Sequence, residues 1–310
     1  MKLVKAVAPY IHPEYLNFKT AAYEAWVRNG GQVAEAHYPV RLLHGPVFRH
    51  ELPTVWKSRK EVRLRFVEPN SIYFDTFPDY AFYEVIPMVW DCWPCYFEKM
   101  CAWLKKHEVK TAIFTSSQTV ERIRQRFPKM NVMWCPEAVD VTKYDKGEEL
   151  GNRIIDFLEY GRNIDSVVKY DFKGLDVLRG QKNGKNLLSQ VQLLKAFKDS
   201  KIVAAFPKSE TNPEEAGGIE TLTQRYWECM LSRMVLIGHA PKELVDLMGY
   251  NPVIELDREH PNEQLRNIVS NIEAYQPLVD RNREEALKKA DWKLRMGEIM
   301  GKLQSLGYEI

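Results

Sequence analysis

Gly217-Gly218-Ile219-Glu220-Thr221-Leu222-Thr223-Gln224-Arg225-Tyr226-Trp227-Glu228 sets two glutamates eight positions apart across a glycine-marked junction. Before it, residues 201–206 (KIVAAF) form a short apolar, β-branched run that reads as a buried strand. After it, Tyr226, Trp227, Met230 and Leu231 recur at helical spacing, and 234–237 (MVLI) reads as the next strand. Glu220 is therefore expected in the loop at a strand's carboxyl end, at or near a helix start, with Glu228 about two turns further on. At about 3.6 residues per turn, positions so spaced differ by about 80° around the axis, so both carboxylates can face one side. Such a loop presents orphan amides and the positive end of the helix dipole, which suit phosphate. A carboxylate beside it suits sugar or ribose hydroxyls.

The same alternation extends in both directions. Toward the amino terminus, 3–8 reads as a strand, 15–28 as a helix ended by Gly30-Gly31, and 33–38 as a second strand. Residues 40–66 are ambiguous, being charged and proline-containing. Strands are expected at 71–74, 85–90, 111–115 and 132–135, and helices at 96–106 and 120–127. The polar stretch 140–152 reads as a linker. Beyond it come strand 154–159, a helix near 187–198, strand 202–206, helix 221–232, strand 234–237, helix 241–248 and strand 252–256. Two final helices are expected near 262–275 and 279–304, with no strand after them. Two successive β/α series predict an α/β protein of two Rossmann-like, doubly wound parallel-sheet domains, 1–145 and 150–275, with closing helices over 276–310. Ligands bind outside the carboxyl ends of such strands, and two such edges facing each other make a cleft.

Composition agrees. Three hundred and ten residues, 45% apolar and 28% charged, suit two ordinary domains with cores of their own. No apolar run reaches the ~18 residues of a membrane span. The first ten residues read as a strand rather than a signal segment, and five cysteines, an odd number, point to a reducing cytoplasm. The net charge of +2 divides unevenly, with 21 basic against 16 acidic residues through Lys146 and 23 against 26 after it. Much of the excess lies in 41–65, including Arg49, Lys57, Arg59, Lys60 and Arg63. That segment is a candidate for contact with an anionic membrane, or simply a solvated face. Nucleic acid fits less well, because no binding motif or stacking pattern accompanies the charge. A dehydrogenase is disfavoured, since no G-x-G-x-x-G follows either first strand.

The twelve-residue stretch resembles the donor motif of nucleotide-sugar glycosyltransferases of the GT-B fold, in which Glu, seven residues and a second Glu hold the donor. Other segments follow in the family's order. Phe157-Leu158-Glu159-Tyr160-Gly161-Arg162 resembles its strand-to-loop element, and Phe206-Pro207-Lys208-Ser209 the strand before the donor loop. Residues 235–244 (VLIGHAPKEL) resemble the next strand and helix, Cys135-Pro136-Glu137-Ala138-Val139-Asp140 the close of the first domain, and Ala290-Asp291-Trp292 the closing segment. The wording Thr221-Leu222-Thr223-Gln224-Arg225 departs from the commoner glycine-aromatic-glycine and resembles a divergent branch of group-one, family-four-like enzymes.

The resemblance implies a metal-independent transferase with no cofactor, moving sugar from a nucleotide diphosphate to a sugar or lipid-linked hydroxyl. It implies a place in cell-surface polysaccharide or glycolipid synthesis, a retaining outcome being slightly favoured; the cysteines place the chain in the cytoplasm, and the basic 41–65 region makes the inner membrane face a candidate contact. A closing helix packed on the first domain is also implied. Carried over by position, Glu220 touches the transferred sugar and Glu228 the ribose. The amides of Thr221, Leu222 and Thr223, with Arg162, meet the diphosphate, Arg225 adds a contact to phosphate or hydroxyl, and Lys169 or Lys173 supplies the accompanying lysine.

In the first half, Asp91 at a strand end is either an acceptor-side carboxylate or a helix N-cap, and His12 either faces the cleft or lies on a surface loop. Cys92-Trp93-Pro94-Cys95 has no second pair to complete a metal site, and Asp257, Glu259 and His260 read as a solvated loop. An epimerase or phosphorylase of the same fold, or a non-catalytic sugar-nucleotide-binding subunit, remains open beside the transferase.

Overall fold

The computed structural model describes residues 1–10, 18–36, 57–182 and 185–310. These divide into two compact units, one of Met1–Pro136 with Trp292–Ile310, the other of Glu137–Asp291. The first begins with β1 (Lys2–Val7), α1 (Phe18–Arg28), β2 (Val33–Ala34), β3 (Glu61–Val67), α2 (Ile72–Thr76) and α3 (Asp79–Phe82). It continues through β4 (Glu84–Val89), α4 (Pro94–Lys106), β5 (Thr111–Phe114), α5 (Ser117–Arg126) and β6 (Asn131–Trp134). The second opens with β7 (Ile155–Glu159), β8 (Val177–Arg179), β9 (Gln181–Lys182), β10 (Lys185–Asn186), α6 (Gln190–Asp199) and β11 (Ser200–Ala205). It goes on through α7 (Lys208–Thr211), α8 (Pro213–Ala216), α9 (Gln224–Leu231), β12 (Val235–Gly238), α10 (Lys242–Met248), β13 (Ile254–Glu255), α11 (Pro261–Ser270) and α12 (Gln276–Lys289). The chain then returns to the first unit as α13 (Trp292–Ser305) and β14 (Tyr308–Glu309).

The first unit's sheet runs β14-β1-β3-β4-β5-β6, with β2 also against β1, every pair parallel. Every residue of β4 and β5 is buried, as a sheet covered on both faces requires. The returning segment is built into this sheet. Tyr308 pairs with Lys2, its hydroxyl donates to Glu84 Oε1 at 2.9 Å, and Asn29 Nδ2 donates to the Lys293 carbonyl at 2.9 Å. Trp292 is wholly buried, its ring 5.8 Å from that of Trp90.

Three expectations are corrected here, and one open stretch is resolved. Residues 72–76 are helical rather than a strand, because Asp75 closes a turn on Ser71: its amide donates to the Ser71 carbonyl and its carboxylate accepts from the Ser71 hydroxyl at 2.6 Å. The strand lies at Glu61–Val67, inside the stretch left ambiguous. Its charges are neutralised within the unit: Arg65 pairs with Asp79 at 3.1 Å, and Arg63 pairs with Glu61 at 2.8 Å and stacks on Tyr83 at 3.7 Å. A strand, β14, does follow the final helices. The last long helix is two, α12 and α13, falling in different units.

The second unit's main sheet runs β13-β12-β11-β7-β8, again parallel throughout. Alternate strand residues supply its two cores. Leu158, Val203, Ala205 and Leu236 meet Phe197, Tyr226, Trp227 and Leu231 on one face. Phe157, Ile202, Ala204 and Ile237 meet Ile164, Val168, Leu265 and Ile268 on the other. The stretch 140–152, expected as a linker, belongs to this unit and contains two 3-10 turns, Val141–Lys143 and Leu150–Asn152. Arg153 fastens it, donating to the carbonyls of Glu148, Ser200 and Lys146 at 3.0, 2.7 and 2.7 Å.

Candidate functional site

The carboxyl ends of β7, β11, β12 and β13 gather the residues singled out in the second unit. β7 runs into Tyr160-Gly161-Arg162, where Gly161 has a φ of +81°. The positive φ favours glycine, and a Cβ there would lie 1.8 Å from Arg225 Nη2, so the guanidinium occupies the space a side chain would take. Arg225, in the first turn of α9, has its Cζ 5.3 Å from the centre of the Tyr160 ring. Its Nη1 is enclosed and has no hydrogen-bond partner among the described residues.

The next side chain, Tyr226, is buried and donates to the His239 carbonyl at 2.7 Å. Burial pushes its phenol well above the usual range; Arg225 and Arg162 pull it down, and Glu210 and Glu220 push it up.

Glu220 is half-buried in the non-helical segment 219–223, because α9 begins only at Gln224. The two glutamates thus do not share a helix, and the angular argument from spacing does not apply. Glu220 Oε1 lies 3.5 Å from His239 Nε2, and His239 Nδ1 lies 3.2 Å from Glu255 Oε2. Burial lowers the basicity of His239, but Glu255, Glu220 and Glu210 outweigh it, and the ring titrates above its ordinary value.

The following loop is more occupied than the sequence suggests. Thr221 Oγ1 and the Leu222 amide both donate to Glu243 Oε2, at 3.3 and 2.8 Å, and the Gln224 amide donates to Glu137 Oε2 at 3.1 Å. Two buried glutamates so hold this loop and helix start, and the contact expected of the three amides narrows to Thr221 and Thr223. Glu228 accepts from Tyr144 at 2.9 Å and from Tyr160 at 3.1 Å, one hydroxyl on each oxygen. Burial raises its carboxyl above the ordinary range, and the two phenols and Arg225 offset part of the rise.

Lys169 and Lys173 are exposed, and the peptide of Lys173 is engaged by Asp171 and by Arg266 of α11. A lysine that sequence reasoning passed over stands nearer a strand end: Lys208, first in α7, whose largely buried ammonium lies 2.7 Å from Glu215. Its signal was its place directly after the strand that precedes the donor loop. His239, Tyr144 and Tyr160 were also missed. Only long-range contacts reveal them.

In the first unit, Asp91 follows β4 with a φ of +51°, rare outside glycine. It is not the N-cap of α4: that place is taken by Trp93, ahead of Pro94. His12 lies outside the described residues, as does most of the basic 41–65 segment. Arg63 and Arg65 of that segment are buried and paired, so neither offers charge to a membrane. Cys92 is buried and Cys95 exposed, both as free thiols. Among the described residues no metal-binding cluster occurs, and no helix is long and apolar enough to cross a membrane.

No protein-family model matches the chain, and no curated protein matches its sequence. Solved structures do match. HepE from Anabaena, in complex with UDP-glucose, superposes with a TM-score of 0.59 at 9% identity, over 98% of this chain and 100% of that one. AviGT4, a glycosyltransferase involved in avilamycin A biosynthesis, gives 0.55 at 12% identity, over 99% and 98%. TarM gives 0.52 at 11%, over 78% of this chain; the match spans about half, 54%, of TarM's own length. With both main sheets parallel and HepE and AviGT4 matched along nearly the whole chain, the protein has the GT-B fold.

Proposed function

We propose that this chain is a glycosyltransferase that moves a sugar from a nucleotide-diphosphate donor to a hydroxyl acceptor. The observation that carries the reading is Arg225, seated against Gly161 with Nη1 enclosed and lacking a hydrogen-bond partner among the described residues. Leaving a buried donor unmade costs about 1–3 kcal/mol, and a guanidinium recovers that best from phosphate oxygens, which it meets with two parallel bonds. The complex of HepE with UDP-glucose supports a donor of this class.

In this reading Arg225, Arg162 and the amides of Thr221 and Thr223 hold the diphosphate, with Lys208 near and Lys169 or Lys173 reaching in from the surface. Glu220 accepts from hydroxyls of the transferred sugar. Glu228, fixed by Tyr144 and Tyr160, keeps lone pairs for the ribose. As the bond from the anomeric carbon to the diphosphate breaks, a bond to the acceptor oxygen forms. The acceptor's proton passes to the departing diphosphate oxygen, and the charge growing on the diphosphate is met by groups already in place. Asp91, in the first unit, is the acceptor-side carboxylate of the proposal, and His12 its weaker companion. A retaining outcome, an acceptor in polysaccharide or glycolipid synthesis, a cytoplasmic location at the membrane face and independence of metal and cofactor complete it.

Incubation with UDP-glucose and a panel of other nucleotide sugars tests the proposal. Release of nucleoside diphosphate matched by glycoside formed on an added sugar or lipid-linked acceptor is the expected result. Epimerised donor with no new glycoside, or no nucleotide bound at all, would overturn it.

A further inference from the structure

We propose that His239 is the positioning residue for Glu220, itself anchored by Glu255, so that a chain of side chains across the carboxyl ends of β12 and β13 aims the sugar-binding carboxylate. The inference rests on the transferase reading for the role of Glu220, and on geometry for everything else. His239 cannot drift. Its amide donates to the Ala205 carbonyl at 3.0 Å, and its carbonyl accepts from the Tyr226 hydroxyl at 2.7 Å. Gly238 before it has a φ of +142°, and a Cβ there would lie 2.1 Å from the Ala205 oxygen, so β12 ends pressed against β11.

From that fixed backbone the ring reaches two carboxylates on opposite sides, Glu255 at Nδ1 and Glu220 at Nε2. Glu255 is itself held: its Oε1 accepts from Asn251 at 2.8 Å, and its carbonyl accepts from Gln264 at 2.8 Å. The charged groups that act on the ring are Glu255 from β13, Glu220 from the loop before α9 and Glu210 from α7, the last paired with Arg258.

Both contacts are attractive only when both ring nitrogens carry protons. Once the ring is neutral, the single proton stays on Nδ1 toward the nearer Glu255, and Nε2 turns a lone pair toward Glu220. The device therefore works below the titration point of His239, which lies above the ordinary 6.5, and fails as pH rises through it.

Two replacements separate positioning from bulk. His239→Gln places an amide where Nε2 was and retains the donor to Glu220; His239→Asn places it where Nδ1 was and retains only the contact to Glu255. Sugar transfer is measured against pH with each, alongside calorimetric binding of UDP. Wild type is expected to lose turnover along an alkaline limb, which His239→Gln lacks while keeping most of its neutral-pH kcat. His239→Asn is expected to lose about ten- to a hundredfold in kcat with UDP affinity retained. Equal effects of the two, with the limb intact in both, would overturn the proposal.

A second readout needs no activity. The His239 ring proton, assigned by its absence in His239→Gln, should titrate above 6.5 and shift down in Glu255→Gln and in Glu220→Gln. A midpoint that neither carboxylate moves would overturn the linkage. Absence of UDP binding would instead strike at the transferase reading and leave the linkage measurable.

Discussion

Arg153 and Arg225 stand at opposite ends of the same sheet and are used in opposite ways. Arg153, ahead of β7, is buried and spends its guanidinium on three backbone carbonyls. Arg225, beside the loop that follows β7, has an enclosed Nη1 with no acceptor among the described residues. Desolvating a guanidinium is costly, and an acceptor supplied from outside the fold would offset that cost. One end of the sheet is fastened by its arginine. In the proposed reading the other end holds one for the donor, on the side where open α/β sheets bind ligands.

The largest effect expected from this contrast falls on stability. Arg153→Ala strips three carbonyls of their donor at once and should cost about 3–5 kcal/mol in urea unfolding, with nucleotide affinity of the folded protein unchanged. An unaltered unfolding midpoint would erase the contrast from the structural side.

Gly161→Ala attacks the other side. It forces a side chain onto a left-handed backbone, at about 1 kcal/mol, and displaces the Arg225 guanidinium from its seat. UDP affinity measured by calorimetry should fall about tenfold. Full retention of affinity would mean that the seat of the guanidinium is not the place where the ligand lies.

The two glutamates sharpen the picture by kind of effect. Glu220→Gln should lower kcat by about tenfold, and Glu228→Gln should chiefly raise the donor KM, because in the proposed reading only the first grips the sugar as its bond breaks. Steady-state kinetics with a saturating acceptor separate the two, and identical changes in both variants would count against distinct roles.

The smallest effect belongs to the clamp on Glu228. Tyr144→Phe removes one of its two phenol donors and should cost about 0.5–1.5 kcal/mol in thermal or urea unfolding. A larger loss in stability than from Arg153→Ala would invert the comparison of the two ends.

The second unit was the more legible half because its strands are apolar and short, and its helices carry their polar residues on one side. Phe157-Leu158, 201–206 and 235–238 declare buried strands without help. β3 hid because Arg63 and Arg65 look like surface charge until Asp79, Glu61 and Tyr83 are known to meet them. Residues 71–74 misled for the opposite reason, since Ile72, Tyr73 and Phe74 suit a strand, and only the Ser71–Asp75 turn makes them helical. At the site, Glu220, Glu228, Arg162 and Arg225 could be named from the order of motifs. The carboxylates that occupy the Leu222 and Gln224 amides could not, because Glu243 and Glu137 lie 21 and 87 residues away in sequence from the amides they accept from. His239 escaped for the same reason: its meaning lies in two partners reached only once β12, β13 and the loop before α9 are side by side.

The most direct measurement is calorimetric titration of UDP into the wild type and into Arg225→Ala, with urea unfolding of both proteins as the control. Arg225 contributes no hydrogen bond from Nη1 to the described fold and, in the proposed reading, one charge-assisted contact to the diphosphate. The variant should therefore unfold at the wild-type midpoint and bind UDP about ten- to a hundredfold more weakly. Unchanged UDP affinity in Arg225→Ala, or a variant that loses stability and keeps its affinity, would contradict the account.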